Sequence, residues 1–179
     1  MLKFYDMAVT FSEFPDEVAL CINITGCPCH CEGCSEPWLH RDSGTPLTPQ
    51  AVQALIDAYP DCTVFGLMGG DADHAGVAEI ADYVHDHSTM KVGMYSGFDE
   101  IDDELARHLD YYKVGRWIMP PKEPAHWGDQ PCGPLEYPGT NQRFYRCEHG
   151  KDFCALINET AKFQKYPIND LERRIIRYS

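Results

Sequence analysis

Four cysteines fall within the stretch ITGCPCHCEGCSEPW, at positions 27, 29, 31 and 34. Cys27, Cys31 and Cys34 read as C-x3-C-x2-C, and all four together as C-x-C-x-C-x2-C. Thiols this close bind soft metal ions or oxidise with one another. A zinc site normally closes on two separated pairs of ligands from different elements, so four ligands within one loop suit it poorly. An iron–sulfur cube takes them more easily, because its irons are held by thiolates, and three thiolates leave one iron open to a non-protein ligand. The residues alone therefore leave three readings: a cube, a zinc ion, or thiols that merely oxidise together.

Other side chains with chemical potential are scattered. MGGDADH follows a strand-like run. Gly69 and Gly70 there permit close backbone approach and positive φ, while Asp71 offers an acceptor, although such a segment is also simply a turn. Ser96 in MYSGFDE is placed equally well to cap a helix or to hydrogen-bond a ligand. Arg116 in YYKVGRW serves equally as an anion partner or a solvated side chain. Cys132, Cys147, Cys154 and His149 lie outside common zinc spacings, so a second metal site is not favoured. His74, His85, His87 and His108 read as exposed residues of helices and loops, and Phe144 and Tyr145 as core. No Ser/His/Asp or paired-carboxylate set is apparent, so no side chain is named as catalytic.

The elements that must position these groups follow from the apolar pattern. Val18 to Thr25 is a β-branched, apolar run that ends at Gly26 and delivers the cysteine loop at its C-terminal end. Thr48 and Pro49 form an N-cap and N1 pair, and Val52, Leu55, Ile56 and Tyr59 recur at helical spacing until Pro60. Cys62 to Met68 is a second strand; Val77, Ile80, Ala81 and Val84 form a helical stripe; MKVGMYS and DEIDDELARHL repeat the pattern; YYKVGRWIM supplies a fourth strand. This alternation predicts a parallel sheet with helices on its outside, with ligands at the carboxyl ends of the strands. Residues 120–141 read as a long loop, RFYRCEHGKDFCALI as a closing hairpin and NDLERRIIR as a terminal helix.

Composition narrows the classes. A chain of 179 residues fits one domain with a real core. With 15 Lys and Arg against 28 Asp and Glu, the formal charge is −13, which disfavours nucleic acid as a partner. No segment approaches the roughly 20 apolar residues of a membrane span, so a soluble cytoplasmic protein without a membrane partner is expected. Nine cysteines, crowded as they are, fit a secreted disulfide framework poorly.

The motifs taken in order resemble the radical S-adenosylmethionine (SAM) enzymes, whose signature is C-x3-C-x2-C after the first strand. More narrowly they resemble the activating proteins of anaerobic (class III) ribonucleoside-triphosphate reductase. The matching residues are Thr25, Gly26, Cys27, Cys31, Gly33, Cys34 and Trp38, then SGTPLT, MGGD, YSGF, GRW and GTNQR, covering about the first 145 residues. The resemblance implies a partial (βα) barrel of mainly parallel sheet with helices outside over residues 1–146, and a C-terminal closing segment over residues 147–179. It implies that Cys27, Cys31 and Cys34 hold a [4Fe–4S] cluster and that Cys29 is spare. Gly69, Gly70, Asp71, Ser96 and Arg116 would contact SAM, Asp71 standing where many relatives have Glu.

The activity so implied is reductive cleavage of SAM, with one electron from reduced flavodoxin or a similar donor, to generate a glycyl radical on the glycyl-radical subunit of the anaerobic reductase. Alternatives are another radical SAM reaction, as in 7-carboxy-7-deazaguanine synthesis, activation of a different glycyl-radical enzyme, or a zinc-binding interaction module. The chain departs from the family at Val114, where relatives often have Asp, and at Ser35 and Glu36, where many have an aromatic residue and Asn, so roles resting on those residues do not transfer.

Overall fold

Leu20, Ile22 and Ile24 point to one face of a strand and Ala19 and Cys21 to the other, and all five are buried. A strand covered on both faces belongs inside a sheet. The computed structural model of the chain describes residues 1–122, 130–137, 139–163 and 173–177. Among the described residues nine strands form one sheet. In chain order they are β1 (Lys3–Thr10), β2 (Ala19–Ile24), β3 (Thr45–Pro46), β4 (Val64–Met68), β5 (Lys91–Tyr95), β6 (Tyr111–Val114), β7 (Arg143–His149), β8 (Phe153–Asn158) and β9 (Arg173–Arg177). The order across the sheet is β3-β1-β2-β4-β5-β6-β7-β8-β9.

The centre, β2-β4-β5-β6, is parallel, as the alternating pattern predicts. Its crossovers carry helices α1 (Pro49–Ala58), α2 (His74–His87) and the single turn α3 (Asp103–Ala106). The Thr48 hydroxyl accepts from Ala51 N–H at the start of α1, and the Asp73 carboxylate accepts from Gly76 N–H at the start of α2, each satisfying a donor that the helix itself leaves open.

The expected partial (βα) barrel is not formed. The sheet is mixed: β1 pairs antiparallel with β2 and β3, and β7, β8 and β9 continue antiparallel from β6. For the β1–β2 and β7–β8 pairs the physical reason is connection length. A parallel pair needs a crossover of a dozen or more residues, whereas the links from Thr10 to Ala19 and from His149 to Phe153 are too short for one. The terminal segment expected as a helix is also corrected: within it, Arg173–Arg177 is β9, and residues 169–172 lie outside the described residues. Among the described residues, no helix is long and apolar enough to cross a membrane.

The helices pack on one face of the sheet. Val52, Leu55, Val77, Ile80, Val84 and Leu105 join Leu20, Ile22, Phe65, Leu67, Val92 and Met94 in the larger core. The other face has a smaller core built around Phe14, from the loop between β1 and β2. Its ring is fully buried against Tyr95, Tyr111 and Phe144, with centroids 5.5, 5.7 and 6.0 Å away. Gly93 in β5 makes room for it, since a Cβ there would lie 2.1 Å from Phe14 Cε1. The loop is tied down by Glu17, which accepts from Tyr111 Oη at 2.7 Å, from Thr63 Oγ1 at 2.6 Å and from Lys91 Nζ.

Candidate metal centre

The cysteine loop begins where β2 ends. Thr25 N–H donates to Lys3 O at 2.9 Å and its hydroxyl to Ser43 O at 2.6 Å, so the exit from the strand is fixed from both sides. Gly26 and Cys27 then donate to Arg41 O and Leu39 O at 3.1 and 3.0 Å. A turn closes from Cys34 N–H to Cys31 O at 3.2 Å, and Glu36 N–H points at Cys34 Sγ at 3.4 Å, the kind of contact that stabilises a thiolate. All four cysteines of the loop are free and partly exposed.

They line a cavity of about 350 Å³ at the carboxyl end of the parallel strands. Gly69 and Asp71 reach it from the end of β4, Ser96 and Gly97 from β5, and Lys113 and Gly115 from β6. Gly69 and Gly70 adopt φ of +116° and +115°, so both positions need glycine. Only Gly69 faces the cavity; a Cβ on Gly70 would meet Val77 Cγ2 at 2.6 Å, which places Gly70 against α2.

Asp71 is buried and densely partnered. Its Oδ1 accepts from Ser96 Oγ at 2.5 Å, its Oδ2 accepts from Gly97 N–H at 2.8 Å, and Cys29 Sγ lies 3.8 Å from Oδ2. Behind it stands His74, with Nε2 3.9 Å from Asp71 Oδ1 and Nδ1 2.7 Å from Asp102 Oδ2. The reading of His74 as an exposed residue is therefore corrected: it is half-buried between two carboxylates, a placement that helical periodicity alone does not reveal. Arg116 does not line the cavity. Its guanidinium pairs with Asp99 at 2.8 Å beside a neighbouring groove that Phe98 and His74 also line.

Sequence reasoning passed over Lys113. It sits in mid-strand, in register with Tyr95 of β5 and Phe144 of β7, where the neighbouring positions are apolar. It is 7% exposed, and its Nζ donates to Gly115 O at 2.7 Å and to Ser96 O at 3.3 Å. The only signal in the sequence is one charged residue inside the run YYKV. Trp117 also lines the cavity, and its indole Nε1 is a buried donor without a partner among the described residues.

Two of the thiols, Cys27 and Cys29, are shifted toward the protonated form. Burial pushes the Cys29 thiol up to about 12, with the nearby Asp71 charge acting in the same sense, and burial also raises Cys27. Binding a metal must therefore displace protons. Among the described residues one group of three donor atoms lies within 4.8 Å, Cys27 with Cys29 and Asp71; Cys27, Cys31 and Cys34 are not so close together. Thiolates on a single zinc ion lie no more than about 4.6 Å apart, twice a zinc–sulfur bond. A cube holds its thiolates on separate irons and spreads them further. Spread thiols, a cationic Lys113 and an unpartnered indole N–H fit an anionic iron–sulfur group in this cavity.

Among the described residues, Cys132, Cys147, Cys154 and His149 do not bring three donor atoms within 4.8 Å of one another, although Cys154 is hydrogen-bonded with Cys147 and with His149. Cys147 and Cys154 are buried on β7 and β8, and Cys132 is buried in the loop before Gly133.

Residues 18–115 match the model of a family described as the 4Fe-4S single cluster domain. No curated protein and no solved structure matches the chain.

Proposed function

The chain belongs to the 4Fe-4S single cluster domain family, and from that premise we propose that it is a radical SAM enzyme, specifically an activase that installs a glycyl radical on anaerobic ribonucleoside-triphosphate reductase. The observation that carries the reading is the cavity itself: four thiols and a buried carboxylate, Asp71, line one space of about 350 Å³. Cys27, Cys31 and Cys34 would hold a [4Fe–4S] cluster there, and the chemistry it would supply is one-electron reductive cleavage of SAM.

In this proposal Cys27, Cys31 and Cys34 hold the cluster, and the remaining residues bind and orient. Asp71 accepts from the amino group of SAM, with Ser96 and Gly97 fixing its carboxylate before the ligand arrives. Gly69, where a Cβ would crowd Ile24 O at 3.3 Å, lets the backbone at the cavity lie close to β2. Arg116, engaged with Asp99 outside the cavity, is reassigned from SAM to the surface around the mouth. Exposed Trp38 and Met119 beside the cysteine loop suit a protein substrate, here the glycyl-radical subunit, with reduced flavodoxin or a similar protein as donor.

The experiment is anaerobic reconstitution with iron and sulfide, followed by SAM, a reductant and the reductase. A glycyl radical seen by electron paramagnetic resonance supports the activase. SAM cleavage without radical transfer would instead indicate a small-molecule radical SAM reaction or another glycyl-radical partner. A zinc-binding interaction module draws on one observation, the Cys27–Cys29–Asp71 grouping, and requires zinc without iron or sulfide in anaerobic preparations.

A further inference from the structure

Lys113 presents an electrostatic problem that the polypeptide solves only in part. An ammonium has three N–H donors. Two go to the carbonyls of Gly115 and Ser96, and the Tyr95 ring lies 5.8 Å from Nζ. Among the described residues no carboxylate forms an ion pair with it. Asp71, the buried carboxylate of the same cavity, accepts from Ser96 and Gly97 and attracts Lys113 without pairing with it. A buried cation without an ion-pair partner is costly, and the usual outcome is a shift toward loss of its proton. Burial does pull the Lys113 amine down, to about 8, against the opposing pull of Asp71, Cys31 and Cys29.

The site is therefore built to receive negative charge, and the group that the cysteines are placed to hold carries it. We propose that Lys113 is the charge-compensating residue of the cavity, its ammonium offsetting the negative charge of a thiolate-held cluster and so raising the cluster's reduction potential. Net charge and hydrogen bonds around the sulfurs are among the determinants of such potentials. Reduction adds one electron, supplied by a viologen-type reductant, and makes or breaks no bond. A nearby positive charge stabilises the reduced, more negative state over the oxidised one. The inference rests on the cluster assignment but not on SAM as substrate.

A purely structural lysine would serve only to tie the Ser96 and Gly115 carbonyls together, so the test separates charge from hydrogen bonding. Lys113→Gln keeps an N–H donor and removes the charge; Lys113→Arg keeps the charge; Lys113→Met serves if the Gln variant does not fold, as judged by circular dichroism. The measurement is a redox titration of the reconstituted protein followed by electron paramagnetic resonance, with iron and sulfide counted in parallel and no SAM present.

The expected result is that the neutral variant's reduction equilibrium shifts at least about tenfold toward the oxidised form, about 59 mV for one electron, while Lys113→Arg stays near the wild type. A neutral variant that titrates with the wild type overturns the inference. A folded neutral variant without iron supports it if Lys113→Arg restores the iron, and opposes it if the folded Arg variant is also empty. A wild-type protein that binds no iron or sulfide defeats the cluster assignment itself, a failure readable before any variant is made.

Discussion

Ser96 Oγ donates to Asp71 Oδ1 across 2.5 Å, tying the end of β5 to the loop after β4 on the floor of the cysteine cavity. The same hydroxyl accepts from Phe98 N–H at 2.9 Å, so Ser96 is oriented by its own backbone before it orients the carboxylate. Asp71 thus meets a ligand with its geometry already set, and a preorganised acceptor loses little freedom on binding.

Asp71→Asn is expected to weaken SAM binding to the cluster-loaded protein by roughly 10- to 100-fold, the worth of a charge-assisted hydrogen bond, while iron content stays unchanged. Ser96→Ala, which removes a neutral partner, should cost roughly fivefold. Calorimetric titration under anaerobic conditions measures both. Wild-type affinity in the Asn variant would mean that the amino group is bound elsewhere.

Cys27→Ala, Cys31→Ala and Cys34→Ala should each lower iron retention after gel filtration at least about tenfold, as loss of a ligand demands. Cys29→Ala should retain the wild-type iron and sulfide. The contact of Cys29 with Asp71 makes this a sharp comparison, because iron loss in Cys29→Ala equal to that in Cys27→Ala would transfer the ligand role to Cys29.

The face of the sheet opposite the helices depends on Phe14 seated over Gly93. Gly93→Ala should destabilise the fold by about 1–3 kcal/mol through overpacking, and Phe14→Ala by about 3–5 kcal/mol through the cavity it leaves. Urea unfolding midpoints report both. In a Phe14→Leu background the cost of Gly93→Ala should shrink, since the two positions share one contact.

Asp110 gives the fold an acid-sensitive tie between α2 and β5. Burial alone would raise its carboxyl, but the hydrogen bonds with His85 and from Val92 N–H, each 2.8 Å, outweigh burial and hold it below the ordinary aspartate range. A carboxyl depressed in the folded state contributes stability above its unfolded value of about 3.9, and that contribution is lost as pH falls through the lower folded value. Unfolding free energy measured in steps below about pH 4 should decline, and Asp110→Asn should flatten that decline. An unchanged acid limb in Asp110→Asn would assign the loss to other carboxylates.

Several elements were legible in the residues because their signals are local. The run from Val18 to Thr25 contains β2, that from Cys62 to Met68 contains β4, and the Thr48–Pro49 pair starts α1 where the cap chemistry places it. β1 was missed because Tyr5, Met7 and Val9 are exposed together with Asp6 and Ala8, so the strand shows no apolar face alternating with a polar one. The segment containing β9 was read as a helix because its charges and isoleucines carry no strong period, and its pairing with β8 decided otherwise.

By itself the sequence determined the spacing of the thiols, the turns that carry them and the parallel strands that end beneath them, since each follows from residues near one another along the chain. The tertiary structure decided that the sheet stays open and mixed, that Arg116 turns to Asp99, and that His74 and Lys113 stand behind and within the site. Those outcomes depend on cross-strand partners and burial, which are set by contacts between residues distant in sequence. A lysine in a short apolar run carries no local mark of whether water or a pair of backbone carbonyls will receive it.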